Sequence, residues 1–523
     1  MSSSATSSPS PESGEQAPVR YATTPPRPPG LAPKDTPITW AKDNVPSIVG
    51  AVLLLAFVAW CAFEAFGPTP ADDARLPAQG ALTLAVFAIA IWLWIFSSIG
   101  DTYVALGAAI VLVLTGMLSD SQLFSSLGED TVWLLLAAFV IAAGVTATGL
   151  SIRAAVYIVT GATGVRQLVY LVTGVLVATA FAIPSTSGRA ALALPIFVAL
   201  AQALHDRKRL VLALSLLFPS VILLSAVASY LGAGAHIITS QILQTSGYEG
   251  FSFTTWLIFG LPLAVVSSYA CAELIMWLFL DKEGRSQKLD VSVEKLEEHT
   301  SMPLTGPLTV GQSRAALLTL AVVLLWCTES LHGLHPAVVA LLGALLATSP
   351  GYGLVTMGKA LKTVPWSMLL FMAATLTLGT ALVESGAADW LAHRVLGPVS
   401  DAGAAAGVVF VVVVVVMSTA AHLIIQSRSA RSAVLIPIVV SLAPGIGVDP
   451  MAAAFASTAA AGFCHTLTSS AKPVTLFSDV EGIETYQPKD LLRLSAFLAP
   501  LMVGMVLFFS FVIWPLMGMP LFL

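Results

Sequence analysis

Eight stretches of this chain are nearly free of charge and long enough to cross a bilayer: 48–66, 80–96, 102–118, 210–229, 255–280, 314–331, 404–425 and 491–514. A span takes roughly 20 mostly apolar residues. In hydrocarbon every backbone N–H and C=O must find a partner inside the protein, so only helices and closed barrels can cross. Barrel strands alternate apolar and polar residues, whereas these runs are continuous. They predict an all-α polytopic membrane protein. The 523 residues are 57% hydrophobic and 10% charged, against about 25% charged in soluble domains.

The polar segments divide the chain. Residues 1–46 are rich in Ser, Pro, Ala and Gly and lack the apolar core of a signal peptide, so they read as a disordered tail. Residues 281–313 mix both charge signs and separate a first transmembrane half, 47–280, from a second, 314–523. A short helix over "VEKLEEH" is expected in that linker. The loop "HDRKR" at 205–209 is the strongest basic cluster. The positive-inside rule puts it on the cytoplasmic side of the cell (inner) membrane, with "ADDARLP" at 71–77 outside and the N-terminal tail inside. Cys61, Cys271, Cys327 and Cys464 stand singly in apolar segments, with no disulfide framework and no metal spacing. No cofactor is expected. The few basic residues exclude a nucleic-acid partner.

The halves resemble each other. "FSSLGEDTVWLLLAAFVIAAGVTATGL" (124–150) precedes "AIPSTSGRAALALPI" (182–196), and "LKTVPWSMLLFMAATLTLGTALVESGA" (361–387) precedes "LIIQSRSARSAVLIPI" (423–438). Trp133 pairs with Trp366 and Ser185 with Ser427, so the two units stay nearly in step. From Leu168 to Leu204 the chain is apolar except for "PSTSGR", which is too long for one straight span. Pro184 removes an amide donor and Gly188 loosens the backbone. A helix broken near Ser185–Gly188 fits best, and residues 403–443 repeat the pattern with a break near Ser427–Ser429. Paired interrupted helices are the best sequence pointer to a transporter's binding site.

These residues resemble the divalent anion/sodium symporter family, which carries di- and tricarboxylates. Its signature is a Ser-Asn-Thr triplet in each repeat, followed by small residues and "LPI". Here the triplets are Ser185-Thr186-Ser187, running to Leu194-Pro195-Ile196, and Ser427-Arg428-Ser429, running to Ile436-Pro437-Ile438. The resemblance covers about residues 48–523. It implies an inverted-repeat transporter with roughly eleven spans, two re-entrant hairpins (124–150 and 361–387), two broken helices and a homodimer. It also implies a small organic anion as substrate, carried by secondary active transport.

The departures concern coupling. Thr186 and Arg428 stand where the family has asparagine. The later loops "LGAGAHIITSQIL" (231–243) and "GFCHTLTSSAKPVTLF" (462–477) contain no asparagine, but carry His236, His465 and Lys472. A charge at a helix centre costs about 2.5–3.5 kcal/mol on insertion scales, so Arg189, Arg428 and Arg431 need a reason. Arg189 and Arg431 either bind the anion or satisfy carbonyls freed by the helix breaks. Arg428, inside its triplet, reads as an anion ligand, with Ser185, Thr186, Ser187, Ser427 and Ser429 as further donors. His236, His465 and Lys472 join this candidate site, and His332, His335 and His422 read as structural. A fixed cation does electrostatically what a bound sodium ion does in a symporter. At about 4 Å it repels a monovalent cation by roughly 4 kcal/mol at an effective dielectric of 20. The expectation is therefore sodium-independent exchange of one di- or tricarboxylate for another, with sodium- or proton-coupled symport of a dicarboxylate or an inorganic divalent anion as the alternative.

An intramembrane hydrolase would need a nucleophile beside a base, yet there is no Gly-x-Ser-x-Gly or His-Glu-x-x-His pattern. A channel rarely needs duplicated broken helices around one cationic pocket. An enzyme is not expected.

Overall fold

The structure, a computed structural model, describes residues 37–67, 75–97, 99–159, 162–289, 306–396 and 404–523. The expected tail over 1–36, the linker centre over 290–305 with its short helix, and residues 71–74 of the acidic loop lie outside the described residues. The chain separates into two units, Met1–Val49 and Gly50–Leu523. The first contributes the opening turns of α1 (Pro37–Phe66), so helix begins ahead of the residue-47 boundary that hydropathy suggests. The second holds everything described below.

Among the described residues, eleven helices are long and apolar enough to cross a membrane. Their burial sorts them. Of the apolar window of Lys208–Ala228, 94% is enclosed by protein, against 22% for Val310–Cys327. The first is central and the second peripheral. On the latter helix Leu317, Leu320 and Leu324 recur at helical spacing and lie exposed, while Ala315, Val322 and Trp326 are buried. The outward stripe is a lipid-facing surface.

Each half carries the same succession of elements. In the first, α2 (Ala78–Phe96) and α3 (Asp101–Leu114) lead to α4 (Asp120–Ser125), α5 (Asp130–Ala147) and α6 (Leu150–Val159). The interrupted pair α7 (Val165–Ala182) and α8 (Thr186–Ala203) follows, then α9 (Lys208–Leu224), α10 (Gly234–Thr245) and α11 (Phe253–Phe279). In the second half, α12 (Val310–Cys327) and α13 (Pro336–Thr348) lead to α14 (Met357–Thr363), α15 (Trp366–Glu384) and α16 (Ala387–Leu396). The second interrupted pair, α17 (Ala404–Ala420) and α18 (Arg428–Leu442), precedes α19 (Pro450–Ala460), α20 (Lys472–Ser478) and α21 (Pro488–Phe508).

The long helices α5 and α15 end alike. Gly149 (φ 69°) and Gly386 (φ 70°) adopt left-handed backbone, which costs glycine nothing, and turn the chain into a short helix. These turns fall at the ends of the stretches 124–150 and 361–387. The other irregular points there are a 3-10 turn at Ser126–Gly128 and the link through Val364 and Pro365.

The helix breaks lie slightly upstream of the positions expected from composition. Helix stops at Ala182 and resumes at Thr186, with Ser185 as the cap. In the second half it resumes at Arg428, capped by Ser427. A serine oxygen can accept an orphan N–H of the first turn, so each triplet starts a helix instead of interrupting one.

The repeats interlock. α3 packs on α15 and α5 on α13; α8 packs on α20 and α18 on α10. Each contact joins one half to the other, and the exchange brings both capping serines to one place.

Candidate functional site

The two triplets line one cavity of about 540 Å³. Ser185 reaches it from the cap of α8 and Ser187 from its first turn, as Ser427 and Ser429 do at α18. Ser185 Oγ accepts the Gly188 N–H and Ser427 Oγ accepts the Ala430 N–H, each at 3.3 Å. The first turns of α8 and α18 therefore open toward the cavity with several N–H groups unused, which favours negative charge there. α10, at Gly234, and α15, at Ser367, also begin at the cavity wall.

Close packing holds this wall. Thr102 Oγ1 donates to the Ser367 carbonyl at 2.7 Å, tying α3 to the first turn of α15. A Cβ on Gly234 would overlap the Met368 side chain and come within 3.0 Å of Ser429 Oγ. Glycine keeps the space open where α10, α15 and α18 converge. Ser185 is the sole non-glycine among the described residues with positive φ, at 98°. Such backbone is strained and clusters at functional sites.

The expected site residues divide into two groups. Ser185, Thr186, Ser187, Ser427, Arg428, Ser429 and Lys472 all line the cavity. Arg189, Arg431, His236 and His465 do not; each is 0% exposed. Arg189 is held by four hydrogen bonds. It donates to the carbonyls of Leu176 (2.6 Å) and Ile222 (2.9 Å) and to the hydroxyls of Thr179 (3.0 Å) and Ser225 (2.6 Å). Leu176 and Thr179 lie in the second half of α7, and Ile222 and Ser225 lie at the end of α9, so Arg189 ties α8 to both helices. Arg431 turns toward the link after α19, donating to Cys464 Sγ (2.7 Å) and the Phe463 carbonyl (3.4 Å). His236 stacks on Trp256, with ring centroids 4.7 Å apart, and its Nδ1 lies 3.0 Å from the Ser229 carbonyl. His465 Nδ1 accepts the Cys464 N–H at 3.2 Å.

Arg428 differs from both of the other arginines in donating no hydrogen bond to a described residue, whereas Arg189 donates four and Arg431 two, with only Arg431 Nε left without a partner. Its Nε and Nη1 are buried and have no hydrogen-bond partner. No carboxylate among the described residues lies within ion-pair distance; Glu64 pairs with Arg394, and Glu273 with Arg166. A guanidinium carries five donors and keeps its charge. Left unpaired at a cavity wall, it calls for an acceptor. A metal is a poor candidate: among the described residues no three His, Cys, Asp or Glu side chains are grouped to hold one.

The model of the sodium:sulfate symporter transmembrane region matches residues 47–520. The chain belongs to this family. Its members are membrane transporters rather than enzymes. A membrane protein of Cupriavidus necator is 24% identical over 472 residues, covering 85% of this chain and 89% of that protein. The sodium-dependent dicarboxylate transporter SdcS of Staphylococcus aureus is 26% identical over 439 residues, covering 76% of this chain and 79% of that one. In fold the chain is similar to the YdaH transporter of Alcanivorax borkumensis (TM-score 0.55, 15% identity, 91% of this chain and 100% of that one). It is also similar to MtrF of Neisseria gonorrhoeae (TM-score 0.56, 16% identity, 91% and 96%).

Several lining residues escaped the sequence reading: Asp101 and Thr102 at the start of α3, Ser367 at the start of α15, and Ser469 and Ser470 before α20. The signal was a Ser, Thr or Asp at the head of an apolar helix, which is indistinguishable in sequence from an ordinary helix cap.

Proposed function

We propose that this transporter carries di- or tricarboxylate anions, bound between the two triplets, and exchanges one anion for another by alternating access without sodium. The observation that carries this reading is Arg428, whose buried Nε and Nη1 lack any partner at the cavity wall. A carboxylate is the acceptor that matches a guanidinium fork. Ser185, Thr186, Ser187, Ser427 and Ser429 supply hydroxyl donors, and Lys472 a second cation. Arg189, Arg431, His236 and His465 then act behind the wall, holding the broken helices. An empty carrier would have to move Arg428 through the crossing unpaired. That penalty favours obligatory exchange, because a fixed arginine cannot leave with the substrate. In this reading two copies of the chain form a homodimer in the cell membrane, with the tail and the 205–209 loop on the cytoplasmic side.

A second reading, sodium-coupled symport, is favoured by the Staphylococcus aureus relative, a sodium-dependent dicarboxylate transporter. Proteoliposomes decide between them. Vesicles loaded with unlabelled dicarboxylate should take up labelled dicarboxylate equally in sodium and in choline, and vesicles without internal anion should take up little. Uptake into empty vesicles driven by a sodium gradient would establish symport. Cysteine labelling near Gly128 and Val364 tests the inverted arrangement: the two positions should react from opposite membrane faces.

A further inference from the structure

The cavity is not uniformly cationic. Its wall holds two cations, Arg428 and Lys472, and one acid, Asp101. These stand on three separate helices: α18, α20 and α3 respectively. Asp101 makes no ion pair with any described residue. Its place is fixed on both sides. Its carbonyl accepts the Trp94 Nε1–H at 3.2 Å, and the next residue, Thr102, is tied to the Ser367 carbonyl. Asp101 is the acid of the first turn of α3, where the helix dipole favours negative charge. The site therefore presents a fixed negative charge across a hydroxyl-rich space; ten of its lining residues are Ser or Thr.

We propose that the substrate class is an amino-substituted dicarboxylate, whose two carboxylates engage Arg428 and Lys472 and whose ammonium engages Asp101. The proposal rests on the reading that an anion binds in this cavity. A plain dicarboxylate leaves Asp101 without a partner and facing like charge. An ammonium group on the carbon skeleton removes the repulsion and adds a charge-assisted hydrogen bond. The match is also one of net charge. Two cations and one acid sum to +1, and an aminodicarboxylate carries −1. Specificity arises here from the unfavourable fit of the competitor as much as from the favourable fit of the substrate.

L-Aspartate and succinate differ by a single amino group and isolate the effect. Binding of each to the purified full chain, measured by calorimetry, should favour aspartate by at least about tenfold. Asp101→Asn should lower aspartate affinity about tenfold or more and leave succinate equal or tighter. Asp101→Glu, which keeps the charge, should retain the preference. An aspartate-to-succinate ratio unchanged by Asp101→Asn would overturn the assignment, as would failure of aspartate to bind the wild-type chain. Succinate binding that persists in wild type and disappears in Arg428→Ala would then leave the anion site standing without its proposed selectivity. Aspartate or succinate binding untouched by Arg428→Ala would remove the anion site itself.

Discussion

The two triplets differ at one position, and the difference separates structure from function. Ser185 and Ser427 both cap a helix, and each is followed one turn later by a fully buried arginine, Arg189 or Arg431. Both arginines turn away from the cavity into backbone and side-chain acceptors. They are the symmetric pair: Arg189 ties α8 to α7 and to the end of α9, and Arg431 ties α18 to the link after α19. The middle positions are Thr186 and Arg428. Only the second half places a charge there, and that charge has no partner for Nε or Nη1. Position within a repeat thus says more than residue type: of three arginines in similar sequence settings, two are hydrogen-bonded behind the cavity wall and one, the proposed ligand, donates no hydrogen bond.

The comparison can be broken most sharply at the arginines. Arg189→Ala removes four hydrogen bonds from a guanidinium and, with them, the ties of α8 to α7 and α9. With bonds to charged groups contributing about 1.5–3 kcal/mol each, the loss should reach at least about 3–5 kcal/mol. The variant should aggregate or melt far below wild type in fluorescence-detected size-exclusion. A wild-type melting temperature would show that Arg189 fastens nothing.

Arg428→Ala should act in the opposite direction. Removing an unpaired, partly buried charge relieves desolvation, so the protein should melt at or slightly above the wild-type temperature. Binding should weaken by about a hundredfold or more, since one close charge pair at an effective dielectric of 20 is worth roughly 4 kcal/mol. Destabilisation of Arg428→Ala as severe as that of Arg189→Ala would erase the distinction between fastener and ligand.

A smaller effect tests the cavity wall. In Gly234→Ala the new methyl meets Met368, whose flexible end can yield, and narrows the space beside Ser429. Apparent substrate affinity should fall about tenfold, with stability within about 1 kcal/mol of wild type, the usual range for mild overpacking. Transport indistinguishable from wild type would place the substrate away from this wall.

The smallest effect compares the caps. Ser185 holds φ at 98°, whereas Ser427 sits at −73°. Glycine caps nearly as well as serine and tolerates positive φ without strain. Ser185→Gly should therefore raise stability by up to about 1 kcal/mol, while Ser427→Gly should lower it by a few tenths. Equal shifts in melting temperature would mean that the strain at Ser185 is relieved elsewhere in the fold.

Much of the fold was legible because hydrocarbon admits few solutions. Long apolar runs dictate helices, and duplicated interruptions mark the site. Seven candidate residues that meet at one cavity were recognisable from their triplets and from the later loop holding Lys472. Asp101 and Ser367 were not, since each is an ordinary helix start until the halves interlock. The fate of Arg189 was undecidable for a similar reason. Its acceptors, the Leu176 and Ile222 carbonyls, are backbone atoms that carry no sequence signature.

Hydropathy and internal repetition by themselves determined that this chain crosses a membrane as helices, breaks two of them and brings cations to the breaks. Tertiary structure alone decided which cation stays free. Packing within each half supplies carbonyls, hydroxyls and a thiol to Arg189 and Arg431, though Arg431 Nε stays without a partner, and leaves Arg428 with no hydrogen bond at Nε or Nη1. The physical reason is that helix formation depends on local backbone bonding and solvent. The pairing of a buried charge depends on which distant atoms the packed chain brings within about 3 Å.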